Sequence, residues 1–298
     1  FIDKKVINIS PTDYIIDKAD GISNPIEMYG SELEISFLVT FIGINQYRNY
    51  VNCITACNVN VRRIVFSNYA AGLAILNEHE LDLGAVVLDI GARTTSLGIF
   101  SKNNFIFSDV LQFGGHNITE TIARKLNITF EEAEKIKVMH ASVLDSSKEE
   151  EIFLEIPSIN FENEDSYIQV TRRNLYEIVK PFYEELLNWV YRSIASSGKA
   201  DLIGRVLVFT GGASQVDGLS ILANNMHNYN SRIGTAKNLM FNSHHTLDTS
   251  YSVLAGLVEN ELNIGKKIQM GSLKNKETIF KKKKNFSLLK NWLAENFF

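Results

Sequence analysis

Short apolar runs bounded by turn residues alternate with helical periodicity along the first part of the chain. The runs VINI, YIID and LEISFLVTF predict strands, and Asp20-Gly21 and Tyr29-Gly30-Ser31 predict the turns between them. Residues 45–57 predict a helix, because apolar side chains recur there at spacings of three and four. That stripe consists of Tyr47, Tyr50, Val51, Ile54 and Cys57.

The same alternation continues to residue 260 and predicts an α/β fold, since strands and helices are mixed along the whole stretch. In chain order we expect a strand at 61–66, a helix at 68–76, two strands within 84–100, a strand at 104–113, helical structure at 118–140, a long helix at 173–195, a strand at 205–209, and helices at 216–226 and 249–260.

Composition and charge narrow the class of protein. Of the 298 residues 45% are hydrophobic and 21% charged, an ordinary globular composition whose length suggests two domains or lobes. The net charge is +7 from residue 265 onward and −11 before it. Because the part before residue 265 is acidic, we do not expect it to have a nucleic-acid-binding surface.

Two cysteines favour a reduced, intracellular protein, and no apolar run is long enough to span a bilayer. Because the chain opens on Phe1 in strand-like sequence, we expect further sequence ahead of it.

The last 36 residues predict a membrane-binding tail. Residues 263–285 are polar and basic and predict a linker, whereas 286–298 regain helical periodicity. Thirteen helical residues rise only about 20 Å, too short to cross a bilayer but suited to lying in its headgroup layer. Anionic lipid would attract the basic run, and the alternative is a helix docked on the protein's own core. The predicted membrane residues are Lys281, Lys282, Lys283, Lys284, Phe286, Leu289, Trp292, Leu293 and Phe297.

Residues 84–100 predict a strand that runs into Asp89, turns at Gly91 and returns as a second strand. Backbone amides of such a turn can bind an anion, and the hydroxyl groups of Thr94 and Thr95 add donors. A carboxylate at the strand end can hold a hydrated Mg²⁺ beside phosphates. A plain β-hairpin explains this segment alone equally well.

A second turn follows a buried strand at residues 205–209. Gly211 and Gly212 allow a ligand to approach the backbone, and the helix that follows offers a positive N-terminus. Ala213 and Ser214 complete the turn. Many α/β turns have this form, so the two turns together are more specific than either alone.

A phosphate-type hairpin, a helical insertion and a later strand–Gly-Gly–helix resemble the actin-like ATPase superfamily of actins, large heat-shock chaperones and sugar kinases. The resemblance implies that the turn at Gly91 corresponds to the superfamily's second phosphate loop and that the turn at Gly211 and Gly212 corresponds to its adenosine loop. It also matches Glu134 and Lys137 to the superfamily's ribose-contacting Glu-x-x-Lys pair. From the residues alone, those two side chains are more simply a solvated helix face.

Together with the basic linker and terminal amphipathic helix, this pattern resembles the FtsA family of bacterial actin-like cell-division proteins. Further similar stretches are SPTDY, GISNPIEMYG, EAEKIKVMHA and VFTGGASQVDGL. The resemblance implies an N-terminally incomplete actin-like ATPase fold of ribonuclease-H-like subdomains. Its expected divisions are part of subdomain IC at 1–40, the rest of IA at 41–83, IIA at 84–115 and 201–262, IIB at 116–200, the linker at 263–285 and the membrane helix at 286–298.

The resemblance implies a protein that binds ATP and Mg²⁺, polymerises head to tail and tethers FtsZ to the cytoplasmic face of the cell membrane at the septum. It also implies that the FtsZ C-terminal tail docks on subdomain IIB and that later division proteins are recruited. The implied nucleotide-binding residues are Asp89, Gly91, Arg93, Thr94, Thr95, Glu134, Lys137, Gly211, Gly212, Ala213 and Ser214, with Asp89 holding Mg²⁺ through water.

Departures from the family pattern affect turnover. Arg93 stands where many relatives have glycine, so it either carries backbone strain or brings its guanidinium to a phosphate. Residues 66–72 contain no carboxylate to serve as a general base, which predicts weak or no ATPase activity. Two other functions remain open for the same fold, a kinase of the sugar-kinase branch and an actin-like scaffold of pilus assembly.

The simplest interpretation of Cys53 and Cys57 is that both side chains pack in the protein core.

Overall fold

The computed structural model describes most of the chain up to residue 262, in two compact units. The described ranges are 3–22, 24–145, 153–157, 167–236, 240–241, 245–246 and 248–262. Of the described residues, one unit contains those within 3–9, 39–66 and 257–262, and the other contains those within 10–38 and 67–256. The predicted linker at 263–285 and the terminal helix at 286–298 lie outside the described residues.

Two long strands open the chain. β1 (Lys4–Ile16) and β2 (Leu33–Gly43) form a two-stranded sheet. The run VINI and the first three residues of YIID therefore belong to one strand of 13 residues, because the polar residues between them keep the extended conformation, and Asp17 begins the turn. The Asp17 carboxylate accepts hydrogen bonds from the Ser31 and Glu32 amides, each at 2.8 Å, and so closes the connection.

Three helices follow, and the segment between the first two departs from the predicted order. They are α1 (Ile44–Thr55), α2 (Ser67–Ile75) and α3 (Glu78–Leu83). The strand predicted at 61–66 is wrong, because residues 59–66 have no regular secondary structure. A strand requires backbone partners, and the amides and carbonyls of 59–65 make no backbone hydrogen bond within the described residues.

Helix α1 confirms the predicted helix but not the packing expected for its stripe. None of its side chains is buried, and both cysteines are free and exposed. The core position expected for Cys53 and Cys57 is therefore wrong. Periodicity marks an apolar face, and only long-range packing decides whether that face is covered.

A five-stranded sheet forms the centre of the larger unit, in the order β5-β4-β3-β8-β9. β3 pairs antiparallel with β4 and parallel with β8. All seven residues of β4 and five of the six in β3 are buried, as expected for a sheet covered on both faces. The strands of this sheet are β3 (Ala85–Ile90), β4 (Thr95–Ser101), β5 (Asn104–Leu111), β8 (Val206–Thr210) and β9 (Asn230–Ile233). Two short strand pairs lie outside it: β6 (Phe153–Pro157) with β7 (Tyr167–Thr171), and β10 (Met240–Phe241) with β11 (His245–Thr246).

The predicted helical stretch at 118–140 is confirmed as two helices, α4 (Gly115–Leu126) and α5 (Phe130–His140). Asn127 ends the first in the left-handed conformation, and the Thr129 side chain caps the second by accepting from the Glu132 amide. The later predicted helices are confirmed as α6 (Arg172–Ser196), α7 (Leu219–His227) and α8 (residues 252–262). No helix in the described ranges has both the length and the hydropathy needed to cross a membrane.

Alternate β3 side chains face two different packed layers. Val86, Leu88 and Ile90 belong to one apolar cluster with side chains of α4, α5, α6 and α7. On another side, Gly72 of α2 lies against the Phe100 ring, and Gly256 of α8 lies against the backbone of α2. A β-carbon on Gly256 would overlap the carbonyl oxygen of Ala70, so this glycine sets how closely the two helices pack.

We predict that Gly256→Ala lowers the free energy of unfolding by about 1–3 kcal/mol, because the added methyl group forces the helices apart. Thermal and urea unfolding followed by circular dichroism measures the change. Leu254→Ala is the matched control in the same helix, since Leu254 is exposed. Equal effects of the two substitutions would contradict the close approach.

Candidate functional site

The two glycine turns lie at the same edge of the sheet. β3 and β8 are parallel neighbours, with Asp89 opposite Thr210, so both strands end together. The turn after β3 contains Gly91 and Arg93, and the turn after β8 begins at Gly211. Carboxyl ends of neighbouring parallel strands are common ligand-binding positions in α/β folds.

Backbone hydrogen bonds close the first turn and join it to α4. The Gly91 amide donates to the Thr94 carbonyl at 2.9 Å, and the Gly115 amide donates to the Gly91 carbonyl at 2.9 Å. The His116 amide donates to the Ala92 carbonyl at 2.6 Å. The N-terminus of α4 is therefore fixed against the turn.

The second turn depends on glycine at its first position. Gly211 has a φ of 87°, and a β-carbon there would lie 2.5 Å from Asp89 Oδ1. Glycine thus allows the two strand ends to approach, and burial raises the pKa of the Asp89 carboxyl. The Ser214 hydroxyl donates to the Gly211 carbonyl at 2.7 Å, and the Tyr183 hydroxyl of α6 donates to the Ala213 carbonyl at 2.7 Å.

Glu134 and Lys137 form a network that connects α5 to α4. Lys137 Nζ donates to Glu134 Oε2 at 2.7 Å, to the Thr119 hydroxyl at 2.7 Å and to the Gly115 carbonyl at 3.1 Å. The Thr119 hydroxyl also donates to Glu134 Oε2. Glu134 Oε1 has no protein partner within the described residues, so one oxygen of this carboxylate can still accept a hydrogen bond.

Opposing effects act on the Glu134 carboxyl. Partial burial raises its pKa, but hydrogen bonds from Lys137 and Thr119 and the charge of Lys137 lower it more. The pKa of Glu134 is therefore lower than its ordinary value, which favours the ionised form.

A cleft of about 620 Å³ opens between the two turns, α4, α5, Tyr183 of α6 and the turn at Asp248 and Ser250 ahead of α8. Of the predicted nucleotide-binding residues, five line this cleft: Gly91, Glu134, Lys137, Gly212 and Ala213. Six lie in or behind the turns and do not line it: Asp89, Arg93, Thr94, Thr95, Gly211 and Ser214. The latter group includes Thr95, which is buried and donates its hydroxyl to the Phe113 carbonyl at 2.8 Å.

Arg93 carries no left-handed strain, because its φ is not positive. Its side chain is exposed beside the first turn. Of the two alternatives for this residue, the strained backbone is therefore wrong, and the contact with a phosphate stays a prediction.

Sequence reasoning missed several residues that line the cleft. His116 packs against the Phe130 ring with 4.7 Å between ring centroids, and Asp248 and Ser250 lie on the opposite wall with Gln215. The Gly114-Gly115-His116 sequence after β5 was an available signal for the first wall, since paired glycines often begin a close approach. Asp248 and Ser250 are distant in sequence from both turns and had no such signal.

The two turns contain backbone donors without a protein acceptor. Within the described ranges, the amides of Ala92, Arg93, Gly212 and Ala213 donate to no protein acceptor. Amides grouped at strand ends and beside a helix N-terminus are typical phosphate ligands. Among the described residues, no group of three or more His, Cys, Asp or Glu side chains is arranged so that it could hold a metal ion. The contact of Asp89 with Mg²⁺ through water stays a prediction.

Solved structures with the same fold define the class. The chain matches MreB5 of Spiroplasma citri bound to ADP with a TM-score of 0.61 and 16% identity, covering 76% of this chain and 68% of that one. It matches the PilM–PilN type IV pilus biogenesis complex with a TM-score of 0.61 and 19% identity, covering 87% of this chain and 67% of that one. The fold is therefore that of the actin-like ATPases.

Family comparisons identify the branch of that class. The model described as "Cell division protein FtsA" matches residues 86–256, and the model of the "SHS2 domain inserted in FTSA" matches residues 2–41. The chain belongs to the FtsA family of cell-division proteins. The residue boundaries predicted for its subdomains stay predictions.

Curated relatives agree with the family match. The cell division protein FtsA of Agrobacterium fabrum is 34% identical over 232 residues, which cover 78% of this chain and 52% of the relative. FtsA of Escherichia coli is 28% identical over 270 residues, which cover 87% of this chain and 64% of the relative. The chain thus spans about half the length of the first of these relatives and under two thirds of the second.

We predict that Lys137→Met raises the pKa of Glu134 toward its ordinary value, because the hydrogen bond and the positive charge are both lost. Carbon-13 NMR titration of the Glu134 carboxyl measures the shift, and Lys135→Met is the control on an exposed lysine of the same helix. A lowered pKa stabilises the fold above the ordinary pKa of glutamate. This contribution disappears as the pH falls through the lowered value, so the stability difference between wild type and variant should become smaller there, leaving only the part due to the bonds of Lys137 to Thr119 and Gly115. A stability difference that does not change with pH would contradict this role.

Proposed function

We propose that the cleft between the two glycine turns binds ATP with Mg²⁺. The observation that carries the proposal is that two sequence-distant turns and Glu134 line one cleft of about 620 Å³. The amides of Ala92, Arg93, Gly212 and Ala213 would hold the phosphates, and the Arg93 guanidinium would add charge to them. Asp89 would hold the hydrated Mg²⁺, which supplies charge neutralisation to the phosphates when it is bound.

Glu134 is better placed than Lys137 to contact the sugar. An ammonium group has three donors, and those of Lys137 already have three protein acceptors at 2.7–3.1 Å. Glu134 keeps one acceptor oxygen for ribose hydroxyl groups. We therefore assign the sugar contact to Glu134 and the orientation of its carboxylate to Lys137.

The described residues favour ATP as a structural ligand over ATP as a rapidly hydrolysed substrate. The segment 66–72 has no carboxylate, and its one amide side chain, Asn68, is fully buried. Asn68 Nδ2 points to the Val87 carbonyl at 3.4 Å and not to the cleft. Without a general base to activate water, turnover is expected to be slow.

We predict that Gly212→Glu weakens ATP binding at least about tenfold, because a carboxylate at the cleft wall repels phosphate and occupies its space. The nearest atom to a β-carbon at this position would be Ser250 Oγ at 3.6 Å, so the side chain itself fits. Isothermal titration calorimetry with ATP and Mg²⁺ measures the affinity. Gly43→Glu is the control, since it adds the same charge at a glycine with nothing within 4 Å. Equal affinities of both variants would contradict the site.

We further propose that the chain tethers FtsZ to the cytoplasmic face of the cell membrane at the septum. Membership of the FtsA family supports this adaptor role, and the sequence of the last 36 residues supports a peripheral membrane contact. Head-to-tail self-assembly, docking of the FtsZ tail on the region of 116–200 and recruitment of later division proteins belong to the same proposal.

Neither alternative function has a specific observation in its favour. The structural match to the PilM–PilN complex is 19% identical, so it reports the fold alone and not pilus assembly. A sugar kinase needs a base directed at a substrate hydroxyl, and the family that matches the chain is a cell-division family.

We predict that the whole chain sediments with vesicles rich in anionic lipid, whereas a chain ending at Phe280 stays in the supernatant. The truncation removes the four-lysine run and the predicted helix together. Binding should weaken as salt rises, because the lysines act through screened charge. Labelled FtsZ added to the same tubes should sediment only when the whole chain is present. Both proteins remaining in solution would overturn the tether.

A further inference from the structure

The cleft wall formed by α4 and α5 carries a histidine that the proposed ATP site does not yet use. His116 is the second residue of α4, and it lines the cleft together with Glu134 of α5. Every residue that lines this cleft lies in the larger unit and within the stretch 86–256 that the family model matches. The wall that contains His116 therefore belongs to the larger unit alone.

The imidazole of His116 is held from three directions. Its backbone amide donates to the Ala92 carbonyl at 2.6 Å, which fixes the residue against the first turn. The ring packs against the Phe130 ring with 4.7 Å between centroids, and Nε2 lies 3.4 Å from Glu120 Oε1. Nδ1 has no hydrogen-bond partner among the described residues. One nitrogen of a fixed ring is thus left to pair with a ligand.

The Nδ1 atom of His116 suits a hydroxyl group better than a phosphate. In the neutral ring that donates Nε2–H toward Glu120, Nδ1 is an acceptor, and in the charged ring it is a donor. A sugar hydroxyl both donates and accepts, so it pairs with either form. Ionised phosphate oxygens only accept, so they pair with the charged form alone.

His116 and Glu134 act at the same part of the cleft. The carbonyl of Gly115, directly before His116, accepts from Lys137 Nζ at 3.1 Å, and the same Nζ donates to Glu134 Oε2 at 2.7 Å. After burial, which raises the pKa of Glu134, and the Lys137 hydrogen bond, which lowers it, the charge of His116 is a further lowering influence. The imidazole and the carboxylate are therefore close enough to contact one sugar.

We propose that His116 is a specificity-determining residue that, together with Glu134, binds the two ribose hydroxyl groups and makes the cleft selective for ribonucleotides over deoxyribonucleotides. The inference rests on the proposed ATP site and names the sugar that this site requires. The free oxygen of Glu134 accepts from one hydroxyl group, and the neighbouring hydroxyl group pairs with Nδ1 of His116. A nucleotide that lacks either hydroxyl group leaves one of these polar atoms without a partner, which weakens its binding.

Isothermal titration calorimetry of the whole chain with the Mg²⁺ complexes of ATP, 2′-deoxy-ATP and 3′-deoxy-ATP measures the selectivity. His116→Phe keeps a ring against Phe130 but has no ring nitrogen, and His116→Ala removes the ring as well. His79→Phe is the control, because His79 is an exposed histidine of α3 that does not line the cleft. Circular dichroism verifies that each variant folds.

Wild type should bind ATP at least about tenfold more tightly than each deoxy analogue. Both His116 variants should weaken ATP binding at least about fivefold and leave the affinity for one of the two analogues unchanged, so the preference for ATP over that analogue falls by the same factor. His79→Phe should keep the wild-type preference.

Two results would overturn the role of His116 and leave the ATP site in place. One is a preference for ATP that survives in both His116 variants, and the other is a wild type that binds all three nucleotides equally. If wild type binds none of the three, the proposed ATP site fails and this inference fails with it.

Discussion

Parallel pairing of β3 with β8 is the interaction on which the candidate site depends. It places Asp89 beside Thr210 although 120 residues separate them in sequence, and so it brings two glycine turns to one edge of the sheet. Gly211 makes the approach possible, since a side chain there would collide with Asp89 and with the Ile90 carbonyl. The long insertion between the strands does not disturb the pairing, because the apolar residues of both strands are buried between packed layers.

Helix α4 connects the first glycine turn to helix α5. Its first amides bind the Gly91 and Ala92 carbonyls, while its Thr119 and Gly115 hold Lys137 of α5. The position of Glu134 at the cleft is therefore coupled to the first turn through a continuous set of hydrogen bonds. A ligand that engages the turn and Glu134 together would contact two elements that α4 already connects, so little rearrangement is needed to form the site.

Local patterns predicted much of the fold and part of the site. The strands β3, β4 and β8 and the helices α6 and α7 carry their own periodicity and turn residues, so the sequence located them closely. The strand expected at 61–66 and the buried cysteines failed for one reason: both depend on partners that local sequence does not specify. The saturated donors of Lys137 and the wall formed by Asp248 were also invisible, because each depends on contacts made across long sequence separations.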